Sequence, residues 1–161
     1  MMDDELGQGA RISLSGMSTG RLGSGGLGEA KSRPGTLEVI YGDVRIEEEW
    51  NPERAVVLEG IDLLWFVLRL RQQLRFMSRM SQDEIRFSDP ERRFDLLLWK
   101  ESGLLLVKNL LDKGQPTVRL DFKDFKRGFL DFQKELLENI IRRYPHIQSH
   151  PGFEEIVRLF R

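Results

Sequence analysis

Two histidines, His146 and His150, have the spacing that comes nearest to a metal site. Four residues apart, they would place both imidazoles on one face of a helix, where they could bind one metal ion. Pro145 and Pro151 flank the pair, however, and proline disfavours a regular helix through both histidines. The nearest carboxylates that could add a ligand are the glutamates at 154–155. We therefore expect solvated loop histidines and no metal site.

A glycine-rich run over 23–32 has part of the composition of a phosphate-binding loop. In such a loop the lysine directly follows the last glycine, and the loop itself follows a buried strand. Here Glu29 and Ala30 intervene before Lys31, and no strand-like run precedes the glycines. The run is therefore interpreted as a linker, and no cofactor is expected.

The densest acidic run of the chain surrounds a tryptophan. Consecutive side chains of a strand alternate between its two faces, so these carboxylates do not converge as a catalytic acid–base pair would. One interpretation is a solvated strand edge, whose charge discourages aggregation. The other is an acidic patch that docks a basic protein. The residues of this candidate interaction surface are Glu47, Glu48, Glu49, Trp50 and Glu53.

Arg71, Arg75 and Arg79 recur every four residues and would form a stripe along one side of a helix. The stripe could bind nucleic-acid phosphates, or it could pair with the acidic residues between 83 and 91. The chain has 25 basic and 26 acidic residues, for a net charge of -1. Because dedicated nucleic-acid binders usually carry a basic excess, the sequence favours the solvent-facing alternative.

No nucleophile, base and acid occur in an arrangement that indicates catalysis, and the chain has no cysteine. Thiolate chemistry, disulfides and Cys-based metal sites are therefore excluded. The most apolar run, over 61–70, contains charges and is shorter than the roughly 20 apolar residues that span a bilayer. We expect a soluble, cytoplasmic, non-enzymatic protein that has a protein partner and no membrane contact.

The first 35 residues differ in composition from the rest of the chain. Residues 1–35 are rich in glycine and serine and poor in large apolar side chains, which predicts a flexible tail. Residues 36–161 are expected to form a single α+β domain. Within it, 37–41 suits a strand, and Gly42-Asp43 is either a turn to a second strand or a bend within one strand.

The rest of the domain alternates between helical and strand-like patterns. Aromatic and aliphatic residues recur every three or four positions over 122–144, which predicts a long amphipathic helix. Short links between the strands demand antiparallel pairing. We expect a two-layer α+β sandwich of five or six strands with the helices on one face. The other predicted elements are a helix over 60–80, strands near 54–58, 85–87, 94–99, 104–107 and 117–121, and a short helix over 152–160.

The order of these elements resembles that of small uncharacterised bacterial α+β proteins of the polymorphic-toxin immunity type. The resemblance covers residues 36–161 and rests on an early strand pair, an apolar helix, a meander, and a long helix after the Val118–Leu120 strand. It includes no diagnostic motif, so it assigns no functional residue. Immunity proteins act without catalysis by covering a toxin's active site, so the resemblance implies a protein-binding module.

Two other functions are consistent with the residues. One is a nucleic-acid-associated protein that uses the arginine stripe. The other is an enzyme or small-ligand carrier with a pocket between sheet and helices. The oligomeric state is left open.

Overall fold

A computed structural model describes residues 9–19, 40–79 and 83–160. Over these ranges the chain forms an α+β fold, which confirms the predicted class. The strands are β1 (Ala10–Thr19), β2 (Ile40–Glu48), β3 (Asn51–Asp62), β4 (Glu84–Ser88), β5 (Asp95–Glu101), β6 (Leu104–Asn109) and β7 (Val118–Asp121). The helices are α1 (Leu63–Arg79), α2 (Phe122–Arg143) and α3 (Pro151–Leu159), with a 3-10 turn over Pro145–Ser149.

The strands form two antiparallel sheets, in the orders β1-β2-β3 and β4-β5-β6-β7. The prediction of one sheet of five or six strands is therefore wrong. The chain leaves β3 directly into α1, so β3 and β4 lack the short link that would pair them. Side chains fasten the second sheet to the first instead. The amide of Gln115 bonds to both the N–H and the carbonyl oxygen of Val57, at 3.0 and 3.1 Å.

Strand β1 lies within the segment that the sequence predicts as a flexible tail. It pairs with β2 along its length, and Ile12 and Leu14 pack against the core. The tail prediction is wrong here because apolar residues alternate with polar ones among the glycines and serines, and Met17 is buried. The rest of the predicted tail, 1–8 and 20–35, lies outside the described residues.

Strand β2 passes through Gly42 and Asp43 without reversing, which confirms the bent-strand alternative. Its pairing with β3 shifts register just after Gly42. A Cβ atom at position 42 would lie 2.4 Å from the carbonyl oxygen of Gly16 and 2.8 Å from a methyl group of Leu63. Glycine at position 42 therefore lets β1, β2 and the start of α1 approach one another closely.

The long helix α2 forms as predicted and supplies much of the core. Asp121 caps it by accepting the N–H of Asp124 at 2.9 Å. The helix contacts β1, β6 and β7, so it covers parts of both sheets. Helix α1 contacts β2, β3 and β4 in the same way. The buried side chains of α2 are Phe125, Phe129, Phe132, Gln133, Leu136 and Ile140.

Candidate functional site

The turn between β2 and β3 presents a tryptophan to solvent. Every residue over 49–53, which we call the hairpin tip, is exposed. Trp50 has 59% of its surface exposed, more than any other large apolar residue in the described ranges. A tryptophan buried on binding can contribute a large share of the affinity at a protein interface. The hairpin tip is therefore the leading candidate for a docking site.

Three interactions hold the hairpin tip in place. The N–H of Glu49 donates to the carbonyl oxygen of Gly9 at 2.8 Å. The guanidinium of Arg45 donates to the carbonyl oxygen of Pro52. The ladder between β2 and β3 closes directly behind the turn. Because the tip is already ordered, a partner that binds it spends little free energy on fixing its conformation.

The hairpin tip carries two negative charges and no positive charge. Both carboxylates, those of Glu49 and Glu53, are exposed. Neither forms an ion pair with any residue in the described ranges. The charges are therefore available to a partner, and they flank Trp50 on both sides along the chain.

The other two glutamates of the acidic run are not part of this surface. Glu47 and Glu48 are only 7% and 6% exposed. Glu47 accepts the Nε–H of Arg45 at 2.7 Å and lies 3.7 Å from Nη1 of Arg11. Glu48 accepts the backbone N–H of Arg119 at 3.2 Å. The solvated-edge interpretation is wrong for these two. Of the five residues of the predicted surface, Glu47 and Glu48 are buried, and the other three are exposed in the hairpin tip.

The arginine stripe lies along a groove between α1 and α2. Arg71 donates to the carbonyl oxygen of Phe160 at 3.3 Å, and burial, with the charge of Arg75 adding, lowers the pKa of Arg71. Arg75 is exposed and forms no ion pair within the described ranges. The side chain of Arg79 lies outside what the structure describes. The groove has a volume of about 180 Å³, and its other lining residues are Leu74, Ser78, Lys126, Phe129 and Leu130.

The groove brings together residues that the sequence pattern keeps apart. Lys126 and the apolar residues Phe129 and Leu130 come from α2, whereas the arginines come from α1. Helical periodicity marked each helix but gave no information on how the two helices pair. Sequence reasoning therefore found the two arginines and missed Lys126.

The histidines take up separate structural positions. His150 caps α3, with its Nδ1 accepting the N–H of Gly152 at 3.0 Å. His146 lies in the 3-10 turn. Within the described ranges no group of three or more His, Asp or Glu side chains could hold a metal ion. The glycine-rich run at 23–32 lies outside those ranges.

A cluster of interacting titratable side chains forms where β3 enters α1. Tyr41 pairs with Asp62 across the first sheet. The guanidinium of Arg93 lies 5.4 Å from the centre of the Tyr41 ring and donates to the carbonyl oxygen of Gly60 at 2.6 Å. Sequence reasoning missed this cluster because Tyr41 and Asp62 become neighbours only through the strand register.

The electrostatics of this cluster fit a structural role. Burial raises the pKa of Asp62, and the nearby charges of Asp89 and Glu91 add to the effect. Burial is also the main cause of the raised pKa of Tyr41. The carboxylate of Asp62 is committed to the start of α1, where it accepts the N–H of Trp65 at 3.1 Å. Through Arg93, the cluster ties the β4–β5 connection to β2 and to the end of β3 that leads into α1.

No helix within the described ranges is both long enough and apolar enough to cross a membrane. Comparison of the chain with protein-family models, with curated proteins and with solved structures finds no match. The function must therefore be inferred from the side chains and their geometry.

Proposed function

We propose that this chain is a non-enzymatic protein-binding module that docks through its hairpin tip. The observation that carries the proposal is the 59% exposure of Trp50 on an ordered turn. As part of the same proposal, the protein acts in the cytoplasm as a toxin-neutralising protein of the immunity type. The order of elements and the protein-docking chemistry of the tip support that assignment.

The chemistry of the hairpin tip defines the partner surface. Trp50 would enter an apolar pocket, where its ring loses contact with water. The carboxylates of Glu49 and Glu53 would face lysine or arginine side chains on the rim of that pocket. Such charge complementarity speeds association and selects against acidic competitors. The expected partner is a protein with a basic surface, which a nucleic-acid-degrading toxin would provide.

The experiment captures the partner at the tip itself. A photo-crosslinking amino acid replaces Asn51, the exposed neighbour of Trp50, so that the anchor is kept, and nuclease-treated lysate of the source organism is irradiated with the full-length protein. Leu159, which is 56% exposed on α3, provides a matched control position for the same crosslinker. We expect one protein to crosslink from position 51 and not from position 159. The partner is then identified by mass spectrometry and purified.

Affinity measurements on the purified partner decide the proposal. Trp50→Ala is expected to weaken binding by about 2 kcal/mol or more, as for other central aromatic anchors. The double variant Glu49→Lys/Glu53→Lys is expected to slow association and to reverse the salt dependence. Equal affinity of Trp50→Ala and wild type would rule out the tip as the docking site. The toxin-neutralising part requires that wild type, and not Trp50→Ala, restores growth of cells expressing the partner.

A further inference from the structure

The groove between α1 and α2 combines an apolar floor with positive charge. Leu74 and Phe129 are almost fully buried at its base, and Leu130 is 56% exposed at its mouth. Arg75 and Lys126 lie on the rim, and Arg71 adds a third cation. None of the described residues that line the groove carries a carboxylate. The site therefore offers apolar contact and uncompensated positive charge within one small volume.

The charges of the groove have no counter-ion within the described ranges. Arg71, Arg75 and Lys126 form no ion pair there. Lys126 contacts the hydroxyl of Ser78 at 3.4 Å and lies 4.8 Å from the centre of the Phe122 ring. These neutral contacts leave its charge unbalanced. Cations next to apolar surface attract anions more strongly than cations in open water, because the local dielectric constant is lower.

The ends of the groove limit the size of its occupant. At one end Nη1 of Arg71 reaches Oε1 of Gln133 at 3.5 Å, and the Gln133 amide donates to the carbonyl oxygen of Phe160 at 3.3 Å. At the other end Lys126 reaches Ser78. These contacts show that α1 and α2 run antiparallel and are bridged on both sides of the opening. A volume of about 180 Å³ between two bridges suits a small molecule better than a helix or an extended chain.

We infer that this groove binds a small organic carboxylate with an apolar body, such as the anion of a free medium-chain fatty acid. The carboxylate accepts hydrogen bonds from Arg75 and Lys126. The apolar body lies on Leu74 and Phe129 and is covered at the mouth by Leu130. Ionised hydrogen-bonding pairs of this kind are stronger than neutral pairs, so the head group fixes the orientation of the ligand. The site is independent of the hairpin tip.

Calorimetric titration of the full-length protein tests this inference. The probe is octanoate, and the comparison ligands are acetate, which lacks the apolar body, and octanol, which lacks the charge. We expect saturable binding of octanoate, with acetate and octanol each at least about tenfold weaker. Octanol binding as tight as octanoate binding would overturn the role of the cations.

Variants of groove residues complete the test. Arg75→Ala/Lys126→Ala is expected to weaken octanoate binding about tenfold, because two charged donors are lost. The matched control is Lys123→Ala/Lys134→Ala, which removes two exposed cations of α2 that do not line the groove. Leu130→Asn should also weaken binding. Wild-type affinity in Arg75→Ala/Lys126→Ala would refute the inference. Octanoate binding that survives in Trp50→Ala separates this site from the proposed docking surface.

Discussion

The carboxylate of Glu48, at the end of β2, accepts the backbone N–H of Arg119 on β7 at 3.2 Å. Among the strands that the structure describes, β2 is central in the first sheet and β7 lies at an edge of the second. The same oxygen of Glu48 lies 3.8 Å from Nη1 of Arg54. One side chain thus satisfies a donor on an otherwise open strand edge and fastens the two sheets together.

Replacing Glu48 should therefore destabilise the fold. Glu48→Ala leaves the N–H of Arg119 without its partner, and we expect a loss of about 1–3 kcal/mol in the free energy of unfolding. Glu48→Gln keeps an acceptor oxygen and should lose less. The matched control is Glu53→Ala, an exposed glutamate whose removal should change stability by less than about 0.5 kcal/mol. Urea unfolding measures all three, and equal values for Glu48→Ala and Glu53→Ala would contradict the bridging role.

The interaction between Asp95 and Arg86 predicts a pH dependence of stability. Asp95 is buried and accepts the Nε–H of Arg86 at 3.0 Å and the hydroxyl of Ser88 at 2.9 Å. The hydrogen bond from Arg86 is the main reason that the pKa of Asp95 is lowered from its ordinary value of 3.8. Folding therefore favours the ionised carboxylate. Its contribution is fully present above pH 3.8 and is lost as the pH falls through the lowered pKa.

Asp95→Asn tests this dependence directly. The variant should be less stable than wild type at pH 7, and the difference should shrink as the pH falls below 3.8. Thermal unfolding of both proteins across acid pH gives the comparison. A stability difference that is constant with pH would show that the charge of Asp95 does not contribute.

Sequence patterns predicted those helices and turns that depend mainly on residues close to one another in the chain. The aromatic face of α2 follows from helical spacing, and the turn between β5 and β6 follows from Ser102 and Gly103, which both have positive φ angles. The burial of Glu48 could not be predicted, because its partner Arg119 is far away in the chain. The docking of β1 was missed for the same reason, since its apolar residues are few and β2 and α2 supply the surface that buries them.

The side chain of Asp62 is expected to have two opposing effects on stability. Its hydrogen bond to the start of α1 stabilises the helix, whereas the burial of its negative charge destabilises the fold. Because burial raises its pKa above 3.8, ionisation costs stability as the pH rises above that value. Asparagine caps helices about as well as aspartate. Asp62→Asn should therefore be more stable than wild type at pH 7, and the gain should fade as the pH falls towards 3.8 and be absent below it. Asp62→Ala should lose about 1 kcal/mol with the cap. The free energies of unfolding are measured by chemical unfolding at pH 7. An Asp62→Asn variant no more stable than Asp62→Ala would contradict this expectation.

Two glycines that face β1 should respond to alanine in opposite directions. A methyl group at position 42 would lie 2.4 Å from the carbonyl oxygen of Gly16, so Gly42→Ala should destabilise the protein by about 1–3 kcal/mol. A methyl group at position 128 would lie 3.7 Å from the carbonyl oxygen of Ala10, an ordinary contact. Gly128→Ala should therefore stabilise α2 by about 0.5–1 kcal/mol, the usual helical preference.

Thermal and urea unfolding of the two variants also test the position of β1. A methyl group at position 42 would clash with the backbone of β1 as well as with Leu63. The full loss of stability is therefore expected only if β1 lies beside β2 as the structure shows. Gly42→Ala with wild-type stability would show that Gly16 does not lie over β2. Destabilisation by Gly128→Ala would show instead that β1 approaches α2 more closely than an alanine allows. The directions of the two stability changes therefore test the contacts of β1 with β2 and with α2. Composition alone had assigned this strand to a flexible tail.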